Sequence, residues 1–303
     1  MTEPQPRSGA WALARGADHG LRIWLREVIA APDVDALRRC ASDEAHWQAL
    51  PKLAQAPRSS VARLRWSSGP VVVKRYLDPG AFRLRTFARR SRAEREARAL
   101  DLVGSVLPEN PVRVLAWAEQ RRFGLVSRGY LVTTELEESF DLRQIKTLDP
   151  PQRDEAIRVV QAVLPRLLAR LHAAGVVART LRGKNALLQP ATGRVALIDL
   201  PYARVVTRLG ARQRIRDLAI FSLEARRFLD ADGWNRFLAG YRAQARDLAA
   251  RDADRISAEQ IERVAARLGH RTGLSAATKS AKRRFRHSRI GEWATGHRYR
   301  EEP

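Results

Sequence analysis

The sequence predicts an α+β fold of two lobes, strand-rich first and helix-rich second. Three observations carry this. Short β-branched and alternating runs crowd the first half, long runs with apolar residues at helical spacing fill the second, and the composition (45% hydrophobic, 29% charged over 303 residues) is that of a globular chain with a sizeable core. Such a division places a cleft between the lobes as the expected ligand site.

The elements follow in order. Residues 1–20 are polar and contain Pro and Gly, a flexible N-terminus. From Leu21 to Leu50 apolar residues recur at helical spacing and Pro32 interrupts them, which predicts two short helices. "SVARLRW", "SSG" and "PVVVKRYL" read as a β-hairpin. "FRLRTFARRSRAEREARALDLVG" reads as a basic amphipathic helix ending near Gly104, and "PVRVLAWAEQ" with "GYLVTTELEE" as a second strand pair across the basic turn "RRFGLVSR". The character then changes. "QRDEAIRVVQAVLPRLLARLHAAG" is a long helix closed by Gly175, two short strands surround "LLQPATGRVALID", and helices continue to about Leu268. The expected boundaries are a lobe with accessory helices over 21–136, a helical lobe over 137–275 and a basic tail over 276–303.

The formal charge of +23 favours polyanionic partners: anionic lipid headgroups, phosphorylated or acidic sugars, or nucleic acid. Nucleic acid rests on charge alone and is the weakest of the three. Six lysines stand among fifty arginines, so each lysine is informative. One cysteine, Cys40, excludes an internal disulfide framework and fits a reducing cytoplasm. The opening MTEPQPRSGAWALARG lacks the apolar core of a secretory signal, and arginines interrupt the longest apolar stretch, so no transmembrane helix is expected. The six histidines lack metal-ligand spacing, and His172 reads as structural. The tail "KRRFRHSR", with Phe285 and Trp293, suits an anionic surface or a solvated extension equally.

Three constellations carry candidate chemistry. Lys74 ends the run Val71–Val72–Val73, where an ammonium can reach phosphate oxygens, although a lysine on an edge strand also discourages aggregation. About twenty residues on, Glu96 precedes the apolar register of Ala97, Leu100 and Val103 and is the first choice to pair with Lys74, with Glu94 in reserve. Glutamates among arginines on a helix are otherwise ordinary surface partners. In "VVARTLRGKNALLQPATGRVALIDLP", Asn185 and, fourteen residues on, Asp199 are hard-oxygen groups suited to Mg²⁺ bound with phosphates. Arg182 and Lys184 in the same loop can neutralise a phosphoryl group or meet an anionic substrate, or they decorate an exposed loop.

Taken together, these pieces resemble the protein-kinase-like superfamily and, within it, the bacterial lipopolysaccharide core kinases that phosphorylate Kdo or heptose. "VVVKRY" looks like the strand of the ATP-phosphate lysine, and "AEREARAL" like the helix of its glutamate partner. "TTELEESFDL" looks like the hinge, whose backbone near Glu135–Glu137 would meet adenine. "LLARLHAAGVV" resembles the helix entering the catalytic loop, and "LIDLPYAR" the metal-binding segment. "RQRIRDLAIF" resembles the next helix, where Asp217 would brace the loop backbone. The likeness spans Ser60 to Phe228. It implies a two-lobed kinase-like fold, ATP and Mg²⁺ as cofactors, a lipopolysaccharide sugar or glycolipid as substrate, and work at the cytoplasmic face of the inner membrane. By the same likeness Lys74 would hold the α/β-phosphates, Glu96 would orient it, and Asn185 and Asp199 would hold the metal. Two departures accompany it. No glycine-rich loop precedes Lys74, and the aspartate expected five residues before the metal-binding Asn is Thr180. The second leaves two readings: a sugar kinase with a degenerate catalytic loop, in which Thr180, Arg182 and Lys184 occupy the catalytic positions, or a nucleotide-binding pseudokinase and scaffold. General-base help is typically worth about 10²–10⁴ in rate, so its loss slows transfer more certainly than it abolishes it.

Overall fold

The computed structural model describes residues 11–14, 20–26, 29–77, 84, 86–87, 89–248 and 253–269. The expected basic tail over 276–303, with Phe285 and Trp293, lies outside the described residues, as does most of 1–20. In chain order the strands and helices are β1 (Ala12–Leu13), β2 (Leu21–Leu25), α1 (Ala31–Ser42), α2 (Glu44–Ala49), β3 (Lys52–Ala56), β4 (Ser59–Trp66), β5 (Gly69–Leu77), α3 (Arg92–Val106), β6 (Val114–Arg122), β7 (Leu125–Thr134), β8 (Phe140–Asp141), α4 (Pro150–Ala173), β9 (Val176–Val177), β10 (Ala186–Gln189), β11 (Arg194–Leu197), β12 (Arg204–Val205), α5 (Ala211–Ala225) and α6 (Ala231–Asp247). Residues 258–269 are helical as well. Two compact units divide the chain. Among the described residues one holds the chain up to Arg98 together with Val114–Glu135, and the other holds Ala99–Arg113 and everything from Leu136 onward, the division falling within α3.

The first unit is built on an antiparallel seven-stranded sheet in the order β1-β2-β6-β7-β5-β4-β3. Strand β5 lies inside it, between β4 and β7, so its side chains go alternately to the two faces. Val71 and Val73 join Leu37, Cys40 and Trp47 of α1 and α2 in a core that also takes Tyr130 and Val132. Arg75 follows on that face, donating to both carboxylate oxygens of Glu44 at 2.9 Å. Lys74 and Tyr76 take the other face, toward α3. That helix approaches β7 closely because position 129 is glycine: a Cβ there would lie 3.1 Å from the Ala93 Cβ. The hairpin between β4 and β5 turns at Ser67–Ser68, and buried Asp33 of α1 holds the turn by accepting from the Ser67 backbone N–H at 2.8 Å.

The expected helix at Leu21 is replaced by strand β2. Leu21 and Ile23 are buried and Arg22 is exposed, an alternation of period two, and Trp24 stacks on its cross-strand partner Trp117 with centroids 3.8 Å apart. Pro32 does not break a helix. It sits in the first turn of α1, where its missing N–H costs nothing, and the break comes at Asp43, which caps α2 by accepting from His46 N at 3.0 Å. Strand β3 was not anticipated at all. Helix α3 starts at Arg92 and runs past Gly104 to Val106.

The second unit is organised around α4, whose Val160, Leu164, Leu167 and Leu168 are buried with Phe221 of α5 and Phe237 and Tyr241 of α6. A three-stranded sheet β11-β10-β8 and the pair β12-β9 complete it. Asn110, in the segment after α3, accepts from Leu197 N at 2.9 Å and donates to Val112 O at 2.9 Å, fixing that segment to the end of β11. No helix among the described residues is long and apolar enough to cross a membrane.

Candidate functional site

In the first unit, Lys74 Nζ donates to both carboxylate oxygens of Glu96 at 3.0 Å, and both side chains are largely withdrawn from solvent. Glu94 does not share this role: it accepts from Arg98 Nε at 2.9 Å and lies near Arg90. A third member was missed by sequence reasoning. Tyr76 donates its hydroxyl to Glu96 Oε2, its ring lies 5.1 Å from the Lys74 ammonium, and the Arg92 guanidinium covers the same ring at 4.8 Å. The signal was available in the spacing, since a residue two places from Lys74 in a strand faces the same way. A buried carboxylate held by an ammonium and a phenol stays in place, and an ammonium so held is a fixed point charge of the kind phosphate oxygens bind.

Glu135 follows β7, and Arg63 Nε donates to its two carboxylate oxygens at 2.9 and 2.7 Å. Its side chain is thereby occupied, and its backbone N–H donates to Pro70 O at 3.4 Å. Glu137 belongs to the second unit, where its carbonyl accepts from Gln189 Nε2 at 2.9 Å.

The loop of the second unit is fixed from below by Asp217 of α5. Its carboxylate accepts from the backbone N–H of Ala178 at 2.6 Å and of Arg179 at 2.9 Å. His172 of α4 lies 3.5 Å from the same carboxylate through Nε2, while its Nδ1 is 2.7 Å from the Tyr241 hydroxyl of α6. With Nδ1 accepting from the tyrosine, Nε2 carries the proton toward Asp217. All three groups are buried. Above them the backbone turns sharply. Arg179 has φ +61°, and the Thr180 N–H donates back to Ala178 O at 2.8 Å, a γ-turn with a non-glycine residue at its centre. The Thr180 hydroxyl, 3.5 Å from Ala178 O, is a neutral group and cannot serve as a carboxylate base. Arg182 and Lys184 are exposed on either side of Gly183. A Cβ at Gly183 would lie 3.1 Å from Glu224 Oε2 and 3.4 Å from Arg143 Cγ, so glycine lets the loop settle onto these side chains. Arg143 is in turn held by Asp141 through hydrogen bonds at 2.9 and 2.7 Å.

Asn185 and Asp199 are brought together. The Asn185 amide donates to Thr180 O at 2.7 Å and to the Asp199 backbone carbonyl at 3.0 Å. Both amide protons being used, the group has one possible orientation, and its Oδ1 is buried with no hydrogen-bond partner among the described residues. Asp199 has φ +50°, a second non-glycine residue held in the left-handed region beside the first. An orphaned amide oxygen next to a carboxylate-bearing residue fits a small hard cation. Mg²⁺ is bound by one or two protein oxygens with the remainder supplied by phosphate and water, so a fuller cage is not needed. Among the described residues no group of three or more His, Cys, Asp or Glu could hold a metal.

Comparison with known proteins gives this geometry a family. No curated protein matches the chain. A solved structure described as WaaP in complex with acyl carrier protein matches with a TM-score of 0.50 and 21% identity, covering 80% of this chain and 98% of that one. The likeness establishes the fold: a β-rich N-terminal sheet with a helical C-terminal part, as in the kinase-like WaaP. The family model for the lipopolysaccharide kinase (Kdo/WaaP) family matches residues 82–241, more than half of the sequence, so it takes in Glu96, Thr180, Asn185, Asp199 and Asp217 while beginning beyond Lys74. With a match over more than half of the sequence, one statement follows: the chain belongs to the lipopolysaccharide kinase (Kdo/WaaP) family.

Proposed function

We propose that the chain is an ATP-dependent, Mg²⁺-requiring phosphotransferase that phosphorylates a hydroxyl of a lipopolysaccharide core sugar, Kdo or heptose, at the cytoplasmic face of the inner membrane. Lys74 would bind the α/β-phosphates and Glu96 would orient it. The backbone near Glu135–Glu137 would meet adenine, and Asn185 and Asp199 would hold the metal, which when bound neutralises phosphate charge. Arg182 and Lys184, exposed in the loop, would meet the transferring phosphoryl group or the anionic sugar. What supports the reading most directly is the Asn185 amide, both of whose donors are tied down while its oxygen stays buried and unpartnered.

Thr180 supports a second reading, a nucleotide-binding pseudokinase or scaffold, because a threonine hydroxyl cannot take the substrate proton as an aspartate would. The solved relative is a complex with acyl carrier protein, which makes such a carrier a partner worth testing by co-purification. Calorimetry with nucleotide and Mg²⁺, paired with a transfer assay on dephosphorylated core oligosaccharide, separates the readings. The kinase reading expects Mg²⁺-dependent binding, slow transfer, and a gain approaching about 10²–10⁴ in Thr180→Asp. Binding without transfer, unrescued by that substitution, leaves the scaffold. Absence of nucleotide binding overturns both.

A further inference from the structure

Two adjoining turns of the first unit hold three large apolar side chains out in solvent: Leu84 is 69% exposed, Phe87 62% and Phe123 83%. They belong to one surface. Phe123 and Gly124 form the turn between β6 and β7, and a Cβ on Gly124 would lie 3.1 Å from the Phe87 ring, so that ring covers the turn. The Phe87 N–H donates to Leu84 O at 3.3 Å. Arg121 ties both turns to a common frame, donating to Gly124 O at 2.9 Å and to Arg89 O at 2.8 Å, while the Val126 N–H donates to Thr86 Oγ1 at 2.8 Å. The exposure is therefore a property of a bonded scaffold.

Phe123 also sits at φ +52°, in a two-residue hairpin turn where Asn would be the cheaper choice. A bulky residue that is strained and exposed at once does nothing for the fold around it, which points outward for its use. The charge around it is cationic. The Arg122 guanidinium stands 5.3 Å over the Phe123 ring, and Arg89 is exposed. Two carboxylates of the same unit are engaged by other arginines: Glu119 by Arg121 and Glu94 by Arg90 and Arg98.

We infer that this surface docks the chain onto an anionic membrane, with Phe123, Phe87 and Leu84 entering the boundary between headgroups and acyl chains and Arg122 and Arg89 meeting lipid phosphates. Aromatic and aliphatic wedges ringed by arginine suit that interface. Three projecting side chains offer a few hundred Å² at most, below the roughly 800 Å² per partner of a stable protein interface. The inference rests on the membrane placement proposed above and not on phosphotransfer, so it stands equally for a scaffold.

The test is co-sedimentation of the full chain with vesicles of equal parts phosphatidylcholine and phosphatidylglycerol, against phosphatidylcholine alone. The native chain should prefer the anionic vesicles and lose binding as salt rises. Phe87→Ser with Phe123→Asn, the latter tolerant of positive φ, should cut the partition constant about tenfold or more, with the thermal midpoint unmoved. Phe123→Trp should bind at least as well as native. Native binding in the double variant would place docking elsewhere and overturn the surface while sparing the membrane placement. A native chain that sediments with neither vesicle overturns both. Retained vesicle binding with loss of acyl carrier protein capture would mark the surface as a protein contact and equally sink the inference.

Discussion

Lys74 and the loop from Ala178 to Asn185 are both held rigidly, but by different forces. Lys74 is held through side-chain charge: one carboxylate, one phenol and a cation over the phenol ring. The loop is held through its backbone. Asp217 accepts two main-chain N–H groups, the Asn185 amide donates to two main-chain carbonyls, and Arg179 is kept at positive φ. The first arrangement is internally neutralised, so a ligand phosphate has to compete with Glu96 for an ammonium already engaged. The second leaves a polar oxygen unsatisfied and stores backbone strain, both of which a bound cation could relieve or exploit. Substitutions near Lys74 should therefore register in ligand affinity, and substitutions under the loop in stability as well as chemistry.

The largest effect is expected at Asp217. Asp217→Ala leaves the Ala178 and Arg179 N–H groups without their acceptor and removes the partner of His172, which should cost roughly 2–5 kcal/mol of unfolding free energy at about 1–3 kcal/mol per orphaned group. A urea titration that finds a change under about 0.5 kcal/mol would break the comparison, since the loop would then not depend on this brace. Next comes Lys74→Met. Loss of a charge-assisted contact to phosphate should weaken nucleotide binding by about tenfold to a hundredfold. Unchanged affinity would remove Lys74 from the nucleotide site.

Much of this contrast was legible in the sequence, for unequal reasons. Lys74 stood out because a lysine directly after a Val-Val-Val run is unusual where arginine is the habitual cation, and Glu96 because it precedes an apolar helical register. Loop, strand, turn, strand and Asp199 could be read in order because short strands between turn residues leave a plain pattern. The first strand pairs were harder. Leu21–Leu25 carries apolar residues that satisfy helical spacing over a longer window, and pairing with β6, the Trp24–Trp117 stack included, decides for period two. Strand β3 has a half-polar sequence, KLAQA, whose pairing with β4 is set by its neighbour. Hydrogen bonds between distant residues, such as Asp33 to the Ser67 turn, leave no local trace in either segment.

Tyr76→Phe sharpens the comparison on its charged side. Removing the hydroxyl leaves the ring under Arg92 but takes one donor from Glu96, so nucleotide affinity should fall by about three- to tenfold, for the loss of one hydrogen bond to a charged group. Because the carboxylate keeps Lys74, the thermal midpoint should change little. An effect on stability larger than on affinity would show that Tyr76 serves the packing of α3 and not the placement of the ammonium.

The smallest expected effect concerns acid. Burial pushes the carboxyls of both Glu44 and Asp141 upward, but hydrogen bonds and charge win: Arg75, Gln48 and Arg128 hold Glu44 below its usual 4.5, and Arg143, through side chain and backbone, holds Asp141 below its usual 3.8. A carboxylate depressed in the folded state contributes stability above its unfolded value and loses it as pH falls through the folded one. Urea midpoints should therefore begin to drop below about pH 4.5 for the Glu44 contribution and below about pH 3.8 for the Asp141 contribution. The two differ in exposure, 47% for the Glu44 side chain against 15% for Asp141. Added salt should screen most of the first and spare most of the second. Asp141→Asn should flatten the acid limb in high salt, where Glu44→Gln should leave it nearly as it was. If both substitutions flatten it equally, exposure does not govern the strength of these ion pairs.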